Sequence, residues 1–211
     1  MAIGWIHPID NAKEWKGINN PGMEWFRSKP LIKFTREGIQ NSLDSNPDPS
    51  RPETVTVEFK YDEVEISAIP DIDQLKNNIK RALYSHIDKN GSTSTASKKV
   101  VNTYNKALNA LDRDKLPIFR ISDSSTTGMD SETFYSYMKG EGLSQKEDGS
   151  GGSYGIGKMA PYVVSDLRTI IASTVYEDNG RCYQLTQGKS VLSTFVEDSN
   201  HYAATGYWGN D

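Results

Sequence analysis

A chain of 211 residues, 36% hydrophobic and 25% charged, is long enough to bury one substantial core and too apolar to be disordered. Its net charge of −4 excludes a global attraction to nucleic acid or anionic membranes, so any such contact has to be local. The single cysteine, Cys182, cannot close an intrachain disulfide, no apolar run reaches membrane-spanning length, and the N-terminal stretch lacks the charged-then-apolar plan of a signal peptide. A soluble, cytoplasmic protein is the expectation, with Cys182 a small buried hydrophobe on a strand.

Residues 1–27 hold Trp5, Trp15, Trp25 and Phe26 among Asn, Pro and Gly, with little periodicity. They read as an irregular arm whose aromatics dock on the domain or on a partner subunit. Ser28 and Pro30 mark the start of a helix, and Pro47, Pro49 and Pro52 forbid its continuation. Wound at about 100° per residue, that helix gathers Glu37, Asn41 and Asp44 on one side and Ile32, Ile39 and Leu43 on the opposite side, the latter as a core-facing stripe. Taken alone, the polar trio is an ordinary solvated face. Two later stretches, around Asp123 and Gly155, give it a different meaning.

Val55, Val57 and Phe59 alternate with polar residues, and a similar alternation runs through Val64 and Ile66; the pattern predicts two half-buried strands joined by a tight turn. Two amphipathic helices come next, one striped by Ile72, Leu75, Ile79 and Leu83, the other by Val101, Tyr104, Leu108 and Leu111. Asp88–Ser97 between them is polar and rich in Ser and Thr and reads as a loop. This hairpin carries Lys76, Lys80, Arg81, Lys89, Lys98, Lys99 and Lys106, either a solvated basic face or a phosphate-contacting surface. Residues 117–122 form a short strand that delivers Asp123 at its end, followed by a Ser/Thr/Gly turn and a short helix through Phe134, Tyr137 and Met138. Residues 140–157 are dense in Gly, Ser and charge and suit a flap, with a helix starting at Lys158. Three strands, about 168–176, 181–187 and 190–196, finish the domain, and Asp178-Asn179-Gly180 is a hairpin signal between the first two. The fold class expected is α+β: a two-layer sandwich of a mixed, mostly antiparallel sheet with helices on one face.

Gly149, Gly151, Gly152, Gly155 and Gly157 fall within nine residues. Glycines let backbone N–H groups approach an anion, and a helix directly after them adds positive potential. Three readings compete with a flexible linker. Gly152 to Lys158 has Walker A spacing, but Met159 stands where a Ser or Thr should hold Mg²⁺, and no apolar strand precedes it. The dinucleotide fingerprint at Gly155-Ile-Gly-Lys-Met-Ala160 fails for the same missing strand.

The third reading uses three stretches in order. Glu37, Asn41 and Asp44; Asp123 with Gly128-Met129; and Gly152, Ser153, Tyr154, Gly155, Ile156, Gly157 and Lys158 resemble the three motifs of the GHKL ATPase superfamily (gyrase, heat-shock chaperone, histidine kinase, MutL). The resemblance covers roughly residues 30–196. It implies a Bergerat-type ATP-binding fold across residues 1–211, with residues 72–113 as a helical-hairpin insertion and 140–157 as a glycine-rich ATP lid. It implies ATP and Mg²⁺ as cofactors, with Glu37 polarising the attacking water and Asn41 ligating Mg²⁺ through a neutral amide oxygen. Asp44 is a supporting group, and Asp123 accepts a hydrogen bond from the exocyclic amine of adenine, where guanine presents an acceptor. Gly155 and Gly157 offer N–H groups to phosphate, with Lys158 either a charge partner or a solvated lysine.

The chain departs from the family pattern in three ways. The Asp123–Met129 turn is one residue longer and lacks its first glycine. The span between the first two motifs is long. No Gly-Thr strand comes after residue 196, and the expectation is an N-terminal fragment of a longer protein.

The function implied is Mg²⁺-dependent ATP binding and hydrolysis, with lid closure and ATP-dependent homodimerisation switching a downstream effector domain or protein partner. DNA transactions or defence rest on the basic hairpin alone, and no membrane partner is expected. The alternatives are a histidine-kinase-type catalytic domain, against which no phosphoacceptor helix precedes residue 30, and a module that binds ATP without hydrolysing it.

Overall fold

Lys29 adopts a left-handed backbone (φ 55°), and Pro30 is the first helical residue after it, where its missing N–H costs nothing. Helix α2 runs Pro30–Asp44, preceded by the single turn α1, Pro21–Glu24. This computed structural model describes residues 3–18, 21–140 and 157–209.

The expected core stripe of α2 faces solvent: Ile32, Ile39 and Leu43 are 65%, 39% and 41% exposed. The helix instead turns Phe34, Gly38 and Ser42 inward, a row about 100° round from Glu37. Small residues explain the choice. A Cβ on Gly38 would lie 2.9 Å from Ile121 Cδ1, so the absence of a side chain there lets the Ile121 side chain lie against the helix. Phe34 meets Phe119 edge-on at 5.9 Å.

Strand β1, Thr56–Glu65, pairs antiparallel with β2, Lys115–Ser124, in the register Thr56↔Ser124, Phe59↔Ile121 and Glu65↔Lys115. The two strands and turn expected over 55–66 are one continuous strand. The apolar phase shifts between Tyr61 and Val64, and a ten-residue partner ladder carries the backbone straight through that shift, so the change of face is not a reversal of the chain.

Helices α3, Ile72–Asn90, and α4, Thr95–Leu111, bury Leu75, Ile79, Leu83, Tyr104 and Leu111, as their periodicity predicts. The loop expected over 88–97 shrinks to residues 91–94. Gly91 (φ 66°) ends α3, and the Ser94 hydroxyl accepts the Ser97 N–H to start α4, so the small polar residues act as caps. Together with Trp5, Ile18, Leu192 and Phe195 these helices form the larger apolar core. The arm therefore docks on its own chain: Trp5 is 1% exposed, and its indole N–H donates to the Pro70 carbonyl at 2.9 Å. Trp25, by contrast, is 70% exposed. A smaller core joins Met23, Phe26, Met159, Ala160, Tyr162 and Val191.

After α5, Ser131–Lys139, and α6, Ala160–Val164, strands β3, Thr169–Asp178, and β4, Arg181–Val191, form the predicted hairpin. Asn179 and Gly180 both have positive φ, 50° and 72°, the signature of a primed two-residue turn. The break expected between 187 and 190 is absent. Gly188 there is a close approach, not a turn, since a Cβ would lie 2.6 Å from the Trp5 ring. Cys182 is on β4 but exposed, because it sits beside the hairpin tip. Beyond residue 192 come β5, Phe195–Glu197, β6, Asn200–Tyr202, and β7, Thr205–Trp208, where one strand was expected.

The class is α+β, and every pairing among these strands is antiparallel. Among the described residues the strands form three pieces, β1-β2, β3-β4-β7 and β5-β6, where a single sheet was expected. No helix among the described residues is long and apolar enough to cross a membrane.

Candidate functional site

A cleft of 1890 Å³ lies between α2, β2 and β3. Glu37, Asn41 and Asp44 all line it from α2, and Asp123, Gly128 and Met129 line it from the end of β2 and the turn beyond. Gly157 and Lys158 close a further side. Gly152, Ser153, Tyr154, Gly155 and Ile156 lie outside the described residues.

Asp123 is fixed from the helix. Ser42 is 3% exposed; its Oγ sits 2.8 Å from Asp123 Oδ2 and 2.9 Å from the Gly38 carbonyl oxygen. A hydroxyl has one proton, so it serves these acceptors alternately. Thr126 Oγ1 is 3.4 Å from Asp123 Oδ1, which leaves that oxygen turned toward the turn and open to another donor. Ser42 was missed in sequence reasoning because it lies in the polar helix without belonging to the spaced trio.

The turn after Asp123 is held on two sides. The Thr127 N–H donates to the Ser45 carbonyl of α2 at 2.9 Å, and the Met129 N–H donates to Thr174 Oγ1 on β3 at 2.8 Å. Gly128 has φ 69°, and a Cβ there would lie 2.1 Å from the Val175 carbonyl oxygen. The position requires glycine twice, for its backbone angle and for its contact. Thr174, buried on a strand, carried no sequence signal.

Glu37 meets the root of the glycine-rich stretch. A Cβ on Gly157 would fall 2.1 Å from Glu37 Oε2, so the carboxylate occupies the space that glycine leaves open. The first and third motif regions, 120 positions apart in sequence, therefore touch. Asn41 is exposed to the cleft, and its side-chain amide has no hydrogen bond among the described residues. Asp44 accepts from Gln40 Nε2 at 2.7 Å.

Lys158 is engaged elsewhere. Its ammonium donates to the Ser136 carbonyl at 3.2 Å and to the Gly140 carbonyl, the carbonyl end of α5, where a cation is favoured. It ties residue 158 to residue 140. The basic hairpin is also partly neutralised: Lys76 pairs with Asp112 at 2.5 Å, Arg81 with Glu197 at 2.7 Å and Lys106 with Asp166 at 2.8 Å. Exposed pairs of this kind are worth little in stability, yet they remove three of the seven cations from any phosphate-contacting surface.

Among the described residues no group of three or more His, Cys, Asp or Glu is placed to hold a metal ion. Asn41 lines the cleft, and its amide carries a neutral oxygen of the type a hard cation accepts when phosphates and water supply the other ligands. The chain matches no protein-family model, and neither the curated proteins nor the solved structures yield a significant match.

Proposed function

We propose that this cleft binds ATP with Mg²⁺ and hydrolyses it, on a Bergerat-type fold of the GHKL kind. The observation that carries the reading is the convergence of Glu37, Asn41, Asp44, Asp123 and Gly157 on one cleft, with the Glu37 carboxylate against Gly157. Asp123, steadied by Ser42 and Thr126, accepts the adenine amine. Asn41 presents its amide oxygen to Mg²⁺, which supplies charge neutralisation at the phosphates. Glu37 orients a water and takes its proton. The stretch 140–157 serves as the lid, Lys158 acts as its anchor to α5 and not as a phosphate ligand, and nucleotide-dependent pairing of two copies relays the state of the site to an effector.

Calorimetry with ATP, ADP and GTP in the presence of Mg²⁺, with phosphate release measured alongside, tests this. ATP and ADP bind and GTP does not; Glu37→Ala retains ATP and slows release by about a hundredfold or more. Unchanged turnover in that variant removes Glu37 from the role, and undiminished nucleotide affinity in Asp123→Ala sinks the pocket. Stoichiometric ATP binding by the wild type with no phosphate release identifies the non-hydrolysing module.

A further inference from the structure

Helix α5 runs along one wall of the cleft and is tied down at both ends. At its start Asp130 accepts the Thr133 N–H at 2.8 Å, and Met129, one residue earlier, donates to Thr174 Oγ1. At its finish the Ser136 and Gly140 carbonyls hold the Lys158 ammonium. Gly157, next to Lys158, lies against the Glu37 carboxylate. The helix therefore leads from the turn after Asp123 toward the Glu37 end of the cleft.

Two rows of side chains on α5 have different surroundings. Phe134 and Met138, four apart, are buried in the fold. Thr133, Ser136 and Tyr137 share the adjacent row, by helical spacing, and all three line the cleft. At ~1.5 Å per residue, Tyr137 lies about 10 Å along the axis from Asp130, in the half of the helix nearer Lys158.

Tyr137 is half-buried, and burial raises its phenol above the ordinary tyrosine range. Its hydroxyl keeps its proton at neutral pH and is a donor. Among the described residues it makes no hydrogen bond, whereas a tyrosine hydroxyl in such surroundings ordinarily meets a partner. Lys158 also lines this end of the cleft, but its ammonium is turned to the α5 carbonyls. What α5 offers to the cleft here is an uncharged donor.

We propose that the Tyr137 hydroxyl donates a hydrogen bond to the polyphosphate chain of the bound nucleotide. Tyr137 belongs to none of the three motif stretches. The role rests on the nucleotide reading above and adds a phosphate contact to it. Neutralisation of charge falls to Mg²⁺, and the phenol contributes direction: one O–H, on a helix fixed at both ends, aimed at an anionic oxygen.

Calorimetry of the whole chain with Mg²⁺ and ATP or ADP, and with adenosine titrated as a competitor, tests this in wild type and Tyr137→Phe. The substitution removes the hydroxyl and keeps the ring. ATP affinity falls by about three- to tenfold, while adenosine affinity and melting temperature stay as in the wild type. A parallel loss for ADP places the contact on the phosphates the two nucleotides share, and a loss for ATP alone places it on the γ-phosphate. Equal ATP affinity in the two proteins overturns the proposal, leaves the nucleotide site standing, and assigns the hydroxyl to a partner within the chain. A loss for adenosine as large as that for ATP also overturns it, since Tyr137 then acts at the base or on the fold. A wild type that binds no adenine nucleotide removes the site and this contact together.

Discussion

Ser42 is the residue on which the acceptor geometry of Asp123 turns. It is buried, it donates to Oδ2 at 2.8 Å, and its alternative acceptor is a carbonyl of its own helix. Ser42→Ala removes a donor to a carboxylate while leaving the helix intact, so adenine-nucleotide affinity should fall by about three- to tenfold with little change in melting temperature. Calorimetry beside a thermal melt checks both halves; unchanged affinity means Asp123 is positioned without Ser42. A second residue acts far from the cleft. His7 is buried, its Nδ1–H donates to the Ala203 carbonyl at 2.8 Å, and its Nε2 accepts from the Ser190 hydroxyl at 3.0 Å. Burial lowers its pKa from 6.5 to about 4. In the unfolded chain the ring takes up a proton near 6.5, in the native protein only near 4, so the unfolded state binds more protons in between. The contribution of this group is complete above pH 6.5 and declines as pH falls toward 4, by about 3 kcal/mol in total. Urea unfolding across the span from neutral pH down to the folded pKa measures the decline. His7→Gln should flatten it, and an equal slope in the variant assigns the pH dependence to other groups.

At the scale of elements, glycines decide which faces meet. Gly38 lets α2 rest on Ile121, and Gly188 lets Trp5 lie across β4. Gly188→Ala would place a Cβ 2.6 Å from a buried indole and 3.0 Å from Trp208, neither of which can swing away as a flexible chain end can. A stability loss of about 1–3 kcal/mol is expected, with part of it recovered in a Trp5→Leu background because the two positions share one contact. Urea denaturation of the two single variants and the double variant checks the coupling, and simple additivity would separate the arm from β4. The amphipathic periods of α3, α4 and α5 and the Asp-Asn-Gly turn were legible because each is a local pattern with one outcome. The buried face of α2 was not. Its apolar stripe is real, but helix-on-sheet packing selected the row with the least bulk, and Ile32, Ile39 and Leu43 were left outside.

For the whole molecule, ligand binding to the native state alone raises the melting temperature, by mass action. Mg²⁺ with ATP at about a hundred times the dissociation constant should add ~2.7 kcal/mol of stability, and GTP should add none; equal shifts for the two nucleotides would remove Asp123 as the selector. The sequence by itself determined the three stretches with candidate site residues, the helical hairpin and the α+β class, because residue spacing on a helix and alternation on a strand are properties of the local backbone. It also determined that Glu37, Asn41 and Asp44 share one side of α2. Only the tertiary structure decided that Ser42 faces Asp123, that Lys158 caps α5, that Thr174 anchors the turn at Met129 and that Gly157 leaves room for the Glu37 carboxylate. Those are contacts between segments from 18 to 120 residues apart, and no local pattern encodes which of several compatible neighbours a side chain will meet.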